Sequence, residues 1–331
     1  MSELALAAFA AETGTHVVWE PRERRFERFR RSFDAMRYLA TLGERGLRFV
    51  ARSAPEYPTL LGELHDPPPG LFLRGGAESE LLSRRRAVAI VGARSCSSYG
   101  SQVARLLGRE LAAAGLVVVS GLARGVDGQA HRGALEAGGV TVAVLGCGID
   151  RDYPAAHAEL AGRIGETGLV LSEYAPGVEP APWRFPARNR IIAGLAAATV
   201  IVEARERSGA LITADFALEA GREVFAVPGE ITSSLSAGTN ALLRLGATAL
   251  TRPEDVLEAL GVTASKAPAA KLGANATVVL RALVDHAAGA DDLTRTTGLD
   301  AAAVATALAE LELVGAVAEA DGLFRGVRPA D

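Results

Sequence analysis

The chain has 331 residues, of which 49% are hydrophobic, and this exceeds what one compact core usually holds. Two or three folded domains are therefore expected, and a chain that is disordered throughout is excluded. The formal net charge of −4 at pH 7 excludes a uniformly basic nucleic-acid-binding protein. A site for a polyanion must instead concentrate its positive charge locally.

Cysteine content and hydropathy indicate the cellular compartment in which the protein is expected. Cys96 and Cys147 are too few for a disulfide scaffold and suit a reducing environment. The N-terminus shows no signal-peptide pattern, and no apolar run approaches the length of a membrane span. The sequence thus predicts a cytoplasmic protein without a membrane span.

Residues 1–60 form an N-terminal segment that is predicted to be basic and partly helical. Within it, residues 21–52 hold ten arginines and four acidic residues. Such a run is typical of a solvated helix face, but a surface that faces nucleic acid fits it as well. A Pro-Pro-Pro-Gly sequence at 67–70 then indicates a rigid turn at the start of the next unit.

Residues 61–260 form the second predicted domain, in which short apolar runs alternate with glycine-bearing loops and amphipathic helices. Alternation of this kind, with strands that are apolar throughout, predicts a mainly parallel sheet covered on both faces. The fold class is therefore α/β, an extended Rossmann-like, doubly wound sheet. The predicted strands are Ala87–Val91, Leu116–Ser120, Thr141–Leu145, Leu169–Ser172, Thr199–Val202 and Val224–Val227.

The C-terminal part is predicted to be a linker at 261–275 followed by a winged-helix domain at 276–331. Three helical stretches precede a strand–turn–strand pattern at 316–325, which is typical of a winged helix. Residues 276–328 hold four arginines and eight acidic residues. Because phosphate neutralisation drives most duplex affinity, a protein contact or a structural lid is the better interpretation.

The loops that follow the first two strands of this domain favour anions. Ligands of open parallel sheets bind beyond the carboxyl ends of the strands, where small residues let backbone N–H groups approach an anion. Asp127 fits a helix cap as well as a ligand group. The candidate residues here are Gly92, Ala93, Arg94, Ser95, Gly121, Ala123, Arg124, Gly125 and Asp127.

The later loops at the same edge show similar features. Residues 182–190 interleave three arginines with Trp183 and Phe185, which fits phosphates and stacked bases. The alternative is that Phe185 fills the entry to the helix and the arginines are merely exposed. Arg205 and Arg207 precede a serine that is placed to cap the next helix. The candidate residues here are Gly146, Gly148, Phe185, Arg188, Asn189, Arg190, Ser208, Gly209 and Thr213.

Catalytic groups are sparse by comparison. His131 has no nucleophile visibly paired with it, and the remaining histidines lack metal-ligand spacing. No catalytic residue, no metal and no cofactor is expected. Because several anion-favouring loops occur in a row, an extended phosphate backbone fits better than a single phosphate.

Seven motifs occur in order along the chain: GARS (92–95), SGLARGVD (120–127), VLGCG (144–148), FPARNRII (185–192), SGALITA (208–214), VPG (227–229) and GTN (238–240). In this order they resemble the DprA family of DNA-processing proteins, also called Smf, over residues 55–328. The resemblance implies a Rossmann-like domain that binds single-stranded DNA at these loops, with Arg94, Phe185, Arg188, Asn189 and Arg190 among its contacts. It also implies a homodimer that loads RecA recombinase onto strands displaced from single-strand-binding protein during natural transformation.

Two features depart from that family. Ala155 and Ala156 follow Tyr-Pro where members often carry a basic residue, which puts one phosphate contact in doubt. Residues 1–60 show no helix-hairpin-helix pattern, which many members have. Two other functions stay open: a nucleoside-monophosphate phosphoribohydrolase, whose Pro-Gly-Gly-x-Gly-Thr loop is missing at 203–209, and a sensor of a small nucleotide.

Overall fold

The computed structural model describes residues 2–14, 24–84, 86–263, 272–283, 286–313, 316–320 and 322–326. The chain divides into two compact units, Met1–Thr263 and Ala264–Asp331. The first unit includes residues 1–60 as well as residues 61–260. Of the expected linker 261–275, residues 264–271 lie outside the described residues.

Nine strands form one sheet in the first unit. They are β1 (Arg48–Ala51), β2 (Gly70–Arg74), β3 (Ala87–Val91), β4 (Val117–Ser120), β5 (Thr141–Val144), β6 (Leu169–Ser172), β7 (Ala198–Ile201), β8 (Glu223–Ala226) and β9 (Thr248–Ala249). Their spatial order is β1-β2-β6-β5-β4-β3-β7-β8-β9. Every pair from β6 to β9 in that order is parallel, whereas β2 pairs antiparallel with both β1 and β6. The predicted mainly parallel sheet is confirmed.

Helices cover both faces of the sheet. In the first unit they are α1 (Ser2–Thr13), α2 (Arg24–Ser32), α3 (Ala35–Glu44), α4 (Thr59–Gly62), α5 (Leu81–Arg84), α6 (Ser98–Ala113), α7 (Val126–Glu136), α8 (Ala158–Thr167), α9 (Arg184–Leu195), α10 (Gly209–Glu219), α11 (Ala237–Arg244) and α12 (Pro253–Ala259). None of the helices in the described ranges is long and apolar enough to cross a bilayer.

Alternate residues of the strands supply the two sides of the core. In β3, Val88 and Ile90 pack with side chains of α6 and α7, whereas Ala89 and Val91 pack with side chains of α9 and α10. All four are buried. Because both faces are covered, the central strands are apolar at every position. The N-terminal helices α1 and α3 add a third cluster over β2, β5 and β6.

The order of the strands determines where a site forms. From β3 the chain moves outward on one side through β4, β5 and β6, and it then returns to β7 on the other side of β3. The connections that follow β3 and β7 therefore diverge at the carboxyl edge and leave a crevice, the usual ligand position in such sheets.

The second unit has the predicted winged-helix elements. It consists of α13 (Ala274–Ala282), α14 (Ala290–Thr297) and α15 (Ala301–Leu313), followed by the antiparallel hairpin of β10 (Val317–Ala320) and β11 (Leu323–Gly326). Val279, Leu293, Leu308 and Val317 contribute to its own buried core. The predicted helices and hairpin at 276–325 are thus confirmed, with shifts of a few residues at their ends.

Candidate nucleic-acid interface

Two adjoining clefts of about 430 and 240 Å³ lie at the carboxyl edge of the sheet. They share the side chains of Arg94, Ala123, Phe185 and Arg188. The loop after β7 lines the larger cleft, and the loop after β5 lines the smaller one. A ligand that occupied both clefts would extend across the ends of β7, β3, β4 and β5.

The loop after β3 is held from beneath by a buried carboxylate. Glu203, which follows β7, accepts hydrogen bonds from the Ser97 backbone N–H (2.9 Å) and from the Ser97 hydroxyl. The Ser97 hydroxyl in turn accepts from the N–H of Gly100 and caps α6. A side chain at position 100 would collide with Glu203, so glycine is required there. Glu203 therefore positions the loop that carries Arg94.

The loop after β4 has a strained backbone that is anchored on three sides. Leu122 adopts a φ of +58°, a region that side chains rarely enter, and its own side chain is fully buried. The Leu122 carbonyl accepts a hydrogen bond from the His157 ring at 2.9 Å. Asp127 accepts from the N–H groups of Gly121 (3.1 Å) and Ala123 (3.3 Å). These contacts direct the exposed Arg124 into the smaller cleft.

Asp127 and Arg188 form the buried floor between the clefts. Arg188 donates to the carbonyls of Gly121 (2.8 Å) and Val144, and so joins the ends of β4 and β5. Burial lowers the pKa of Arg188 to about 10, so the guanidinium stays charged at neutral pH. Burial raises the pKa of Asp127, while the charge of Arg188 opposes that rise. The floor therefore places the buried positive charge of Arg188 beside the Asp127 carboxyl group.

An aromatic pair lines the smaller cleft. The rings of Phe185 and Tyr153 stack with centroids 5.2 Å apart, and the Arg94 guanidinium lies 5.2 Å from the Phe185 centroid. Phe185 is therefore covered by two neighbours, whereas Tyr153 is 42% exposed. Of the two rings, Tyr153 has the larger surface available for stacking with a base.

The loop after β7 closes the far end of the larger cleft. Arg205 and Arg207 are exposed and line this cleft. Ser208 accepts a hydrogen bond from the N–H of Ala210 and thus caps α10. Asn189 donates to the Gly209 carbonyl at 3.0 Å and joins α9 to this loop. Phosphate-sized anions would meet two guanidinium groups and a helix N-terminus here.

Comparison with known proteins identifies the family. The family model of DNA recombination-mediator protein A matches residues 48–261, and the DprA winged-helix model matches residues 263–322. The chain belongs to the DprA/Smf family. The resemblance predicted from the motifs is therefore confirmed.

Individual DprA proteins match over most of the chain. The DNA processing protein DprA of Bacillus subtilis is 42% identical over 224 residues, which are 68% of this chain and 75% of that protein. The Streptococcus pneumoniae protein is 47% identical over 61% of this chain and 70% of its own length.

Two solved DprA structures share the fold. The Streptococcus pneumoniae structure aligns with a TM-score of 0.66 and 38% identity, over 78% of this chain and 92% of that one. The Helicobacter pylori DprA structure, which is described as showing a single-stranded DNA binding mode, aligns with a TM-score of 0.57 and 34% identity. It covers 61% of this chain and 92% of its own.

Most residues predicted from the DprA motifs line the two clefts. The larger cleft contains Gly92, Ala93, Arg94, Ser95, Ala123, Asp127, Phe185, Arg188, Asn189, Ser208, Gly209 and Thr213. The smaller cleft adds Gly121, Arg124 and Gly146. The loops that were predicted separately from the sequence therefore form one surface.

Arg190, one of the predicted site residues, lines neither cleft. It is buried and forms a two-pronged ion pair with Glu173, at 2.8 and 3.1 Å. Two predicted glycines also lie outside the cleft linings. Gly125 packs against the carbonyl of Ala93, and Gly148 packs against the carbonyl of Ala175. A side chain at either glycine would collide with these carbonyls, so both positions require glycine for the close packing of the loops.

The alternative that the arginines at 184–190 are merely exposed is wrong, because Arg184, Arg188 and Arg190 are all buried. The predicted phosphate contact of Arg188 stays a prediction, since this side chain lines both clefts. Arg184 stacks on Trp183 with its guanidinium 4.8 Å from the ring centroid. The exposed charge of the clefts comes instead from Arg94, Arg124, Arg205 and Arg207.

Tyr153 and Pro154 line the smaller cleft but were absent from the predicted set. Their Tyr-Pro motif was visible in the sequence, yet it lies nine residues beyond the end of β5 at Val144. Ion pairs from Asp150 to Arg45 and from Asp152 to Arg74 hold this connection against the N-terminal part of the sheet. The chain then returns to the cleft at Tyr153.

Two further observations concern catalytic chemistry. His131 is fully buried, and its Nδ1 lies 2.7 Å from the hydroxyl of Thr141. Burial lowers the pKa of His131 to about 3, so the ring is neutral near pH 7. Within the described ranges, no group of three or more histidine, cysteine, aspartate or glutamate side chains could hold a metal ion.

Proposed function

We propose that this protein binds single-stranded DNA in the two clefts and so takes part in DNA processing during natural transformation. One observation carries the proposal: Arg94, Arg124, Arg205 and Arg207 converge on the clefts and are exposed. None of these four forms an ion pair with another residue in the described ranges. Four unpaired guanidinium groups around one crevice favour a phosphate backbone.

The shape of the site favours a strand over a single nucleotide. The arginines are distributed over loops that follow three different strands, β3, β4 and β7. One phosphate contacts only the loops nearest to it, whereas successive phosphates of a strand reach all three. The exposed face of Tyr153 lines the smaller cleft together with Arg94 and Arg124 and offers a base a stacking surface of the kind common in single-strand binding.

We propose that the protein acts by binding and not by catalysis. Two groups with the chemistry for acid–base catalysis are engaged in structural contacts. Glu203 bonds to Ser97, and His131 bonds to Thr141 inside the core. The Helicobacter pylori relative is described as binding single-stranded DNA, which supports a binding role.

The partners implied by the family are part of the proposal. We propose a homodimer that loads RecA recombinase onto strands taken over from single-strand-binding protein. Candidate pairing residues are the exposed apolar side chains of Ile212, Leu218, Ile231 and Leu245, which lie in 209–245. Two clefts on one dimer would hold a long strand at two points and raise avidity without new contacts.

The decisive experiment compares binding with hydrolysis in one preparation. Single-stranded and duplex oligonucleotides of equal length are titrated by fluorescence anisotropy, and AMP hydrolysis is followed beside them. We expect tight binding of the single strand, weak binding of the duplex and no hydrolysis. Hydrolysis of AMP would support the phosphoribohydrolase, and tight binding of a mononucleotide without strand binding would support the nucleotide sensor.

A truncation tests the proposed roles of the strand-binding domain at 61–260 and the winged helix at 276–331. Deletion of 264–331 keeps the whole first compact unit and removes a domain with more acidic than basic residues. The shortened protein should bind a single strand within a few-fold of the full chain. Loss of binding in a protein that remains folded would contradict this division of roles.

A further inference from the structure

Helix α2 carries a stripe of arginines that the clefts do not use. Arg24, Arg28 and Arg31 occur at spacings of four and three residues and therefore lie on one side of the helix. Arg25 lies beside this stripe. All four are exposed.

The opposite side of α2 is fixed to the domain by aromatic packing. Phe26 is buried, and the rings of Phe26 and Phe29 lie 5.5 and 5.4 Å from the ring of Phe9 in α1. Phe29 also stacks on Phe33 at 5.2 Å. Because these contacts set the rotation of the helix, the arginine stripe must face away from α1.

Within the part of the chain that the structure describes, the arginines of the stripe have no ion-pair partner. Glu27 is the sole acidic residue of α2, and it bonds to Arg30 at 3.0 Å. Arg24, Arg25, Arg28 and Arg31 form no ion pair with any other residue in the described ranges. Like charges three or four residues apart destabilise a helix. An anionic partner would relieve this repulsion, and guanidinium forks match phosphate geometry.

The topology places the end of α2 at the same edge of the sheet as the clefts. Ala51 at the end of β1 pairs with Gly70 at the start of β2. Two residues further along β2, Phe72 pairs with Ser172 at the carboxyl end of β6. β1 therefore ends at the same edge of the sheet as β6. Just beyond β1, Ser53 bonds to Glu3 in the first turn of α1.

The start of α1 in turn adjoins the end of α2. Ser2 and Ala5 of α1 line one surface depression together with Arg30. β1 is four strands from β4, which corresponds to roughly 20 Å at the usual strand spacing. A strand that leaves the smaller cleft along this edge therefore runs towards α2.

We propose that the arginine stripe of α2 is a second phosphate-binding surface, which holds single-stranded DNA where it leaves the clefts. This inference rests on the proposed function and extends it by naming a contact outside the Rossmann-like loops. The stripe contributes to the binding of strands long enough to reach it and contributes nothing to short ones. Its contacts are purely to phosphate, so they are independent of base sequence.

The test uses the full chain with Arg24, Arg28 and Arg31 all changed to glutamine. Glutamine is a good helix former and removes like-charge neighbours, so α2 should remain folded. Affinity is measured for oligonucleotides of about 6 and about 25 nucleotides at several salt concentrations. Two controls accompany it: the same three positions changed to lysine, and Arg163→Gln, an exposed arginine of α8 that is remote from the cleft linings.

We expect the glutamine variant to bind the long strand about tenfold more weakly at low salt, with a salt slope reduced by about 2, since each lost contact to a single strand lowers it by ~0.7. Affinity for the short strand should be unchanged. The lysine variant should retain most long-strand affinity, and Arg163→Gln should behave as the wild type.

The inference would be overturned if the wild type and the glutamine variant bound the long strand with equal affinity and equal salt slope. The stripe would then be a candidate surface for an acidic protein or a membrane. An equal loss for short and long strands would overturn it as well, because the effect would then not depend on reach. Failure of the wild type to bind even the short strand would instead contradict the proposed function of the clefts.

Discussion

Arg94 is the residue whose replacement tests the clefts most directly. It is exposed, it lines both clefts, and its guanidinium lies over Phe185. A hydrogen bond to a charged group contributes about 1.5–3 kcal/mol, and solvent exposure reduces that value. We therefore expect Arg94→Ala to weaken single-strand binding by about 1–3 kcal/mol, which is roughly 5- to 150-fold in Kd.

The salt dependence separates a phosphate contact from other causes of weaker binding. Loss of one phosphate contact to a single strand should lower the slope of log K against log salt by about 0.7. The loss of affinity should also be similar for oligothymidine and for mixed sequences. Fluorescence anisotropy over a range of salt concentrations gives both quantities, and Arg163→Ala serves as the matched control.

Phe185 complicates the interpretation because Arg94→Ala also uncovers its ring. A double-mutant cycle with Phe185→Leu resolves this, and the coupling should be about 0.5–1 kcal/mol for an exposed cation–π contact. A base-dependent loss, or a loss of affinity with an unchanged salt slope, would refute the assignment of Arg94 to phosphate.

Three further predictions concern single residues. Tyr153→Ala should weaken strand binding by about 1–3 kcal/mol, and by more than Phe185→Leu does, because Tyr153 has the exposed ring; titrations of both variants check this. Arg190→Met should lower the free energy of unfolding by about 3–5 kcal/mol, because it leaves Glu173 buried without its partner; chemical denaturation measures this. The affinity for a single strand at low temperature should not change, which fluorescence anisotropy checks. The unfolded chain should bind a proton at His131 below pH 6.5, while the folded ring stays neutral down to about pH 3, so the free energy of unfolding should decrease as the pH falls over that interval. In urea titrations at several pH values, His131→Gln should flatten this decrease. Identical pH slopes in the variant and the wild type would contradict the prediction.

The central strands were predictable because burial on both faces imposes a continuous apolar run. β3 and β6 occur at the predicted bounds, and the other four central strands differ from the predicted bounds by one residue at one or both ends. Of the three missed strands, β1 and β9 lack a continuous apolar run, whereas β2 has one that a proline run precedes. β1 begins with Arg48, β9 has two exposed residues, and β2 at Gly70–Arg74 follows directly on the proline run that indicated a turn.

The loops of the site were predictable for a topological reason. Carboxyl ends of parallel strands meet at one edge, so residues that directly follow β3, β4 and β7 must lie near one another. Tyr153 could not be predicted in this way because it lies nine residues beyond the end of β5. The course of this connection depends on the ion pairs of Asp150 and Asp152. Such long-range pairs leave no periodic signal in the sequence.

The arginines of α9 show a second limit of prediction from the sequence. Arg188 and Arg190 are two residues apart and therefore point in different directions from the helix, yet both are buried. The partners that make burial tolerable are distant in sequence: Glu173 for Arg190, and the carbonyls of Gly121 and Val144 for Arg188. Arginine at a strand-end loop is ambiguous until its acceptors are known.

The distribution of charge reconciles an acidic protein with a polyanionic ligand. The lining of the two clefts contains five arginines and one aspartate, whereas the whole chain has a net charge of −4. The aspartate, Asp127, is occupied by two backbone N–H groups and lies beside Arg188. The exposed charged side chains of the lining are therefore all basic. Fields of this kind fall off within about 10 Å at 0.1 M salt, so the acidic remainder of the surface does not cancel the attraction inside the clefts. The acidic balance elsewhere opposes non-specific adhesion of nucleic acid, so we expect a strand to bind at the edge of the sheet where the strand ends meet.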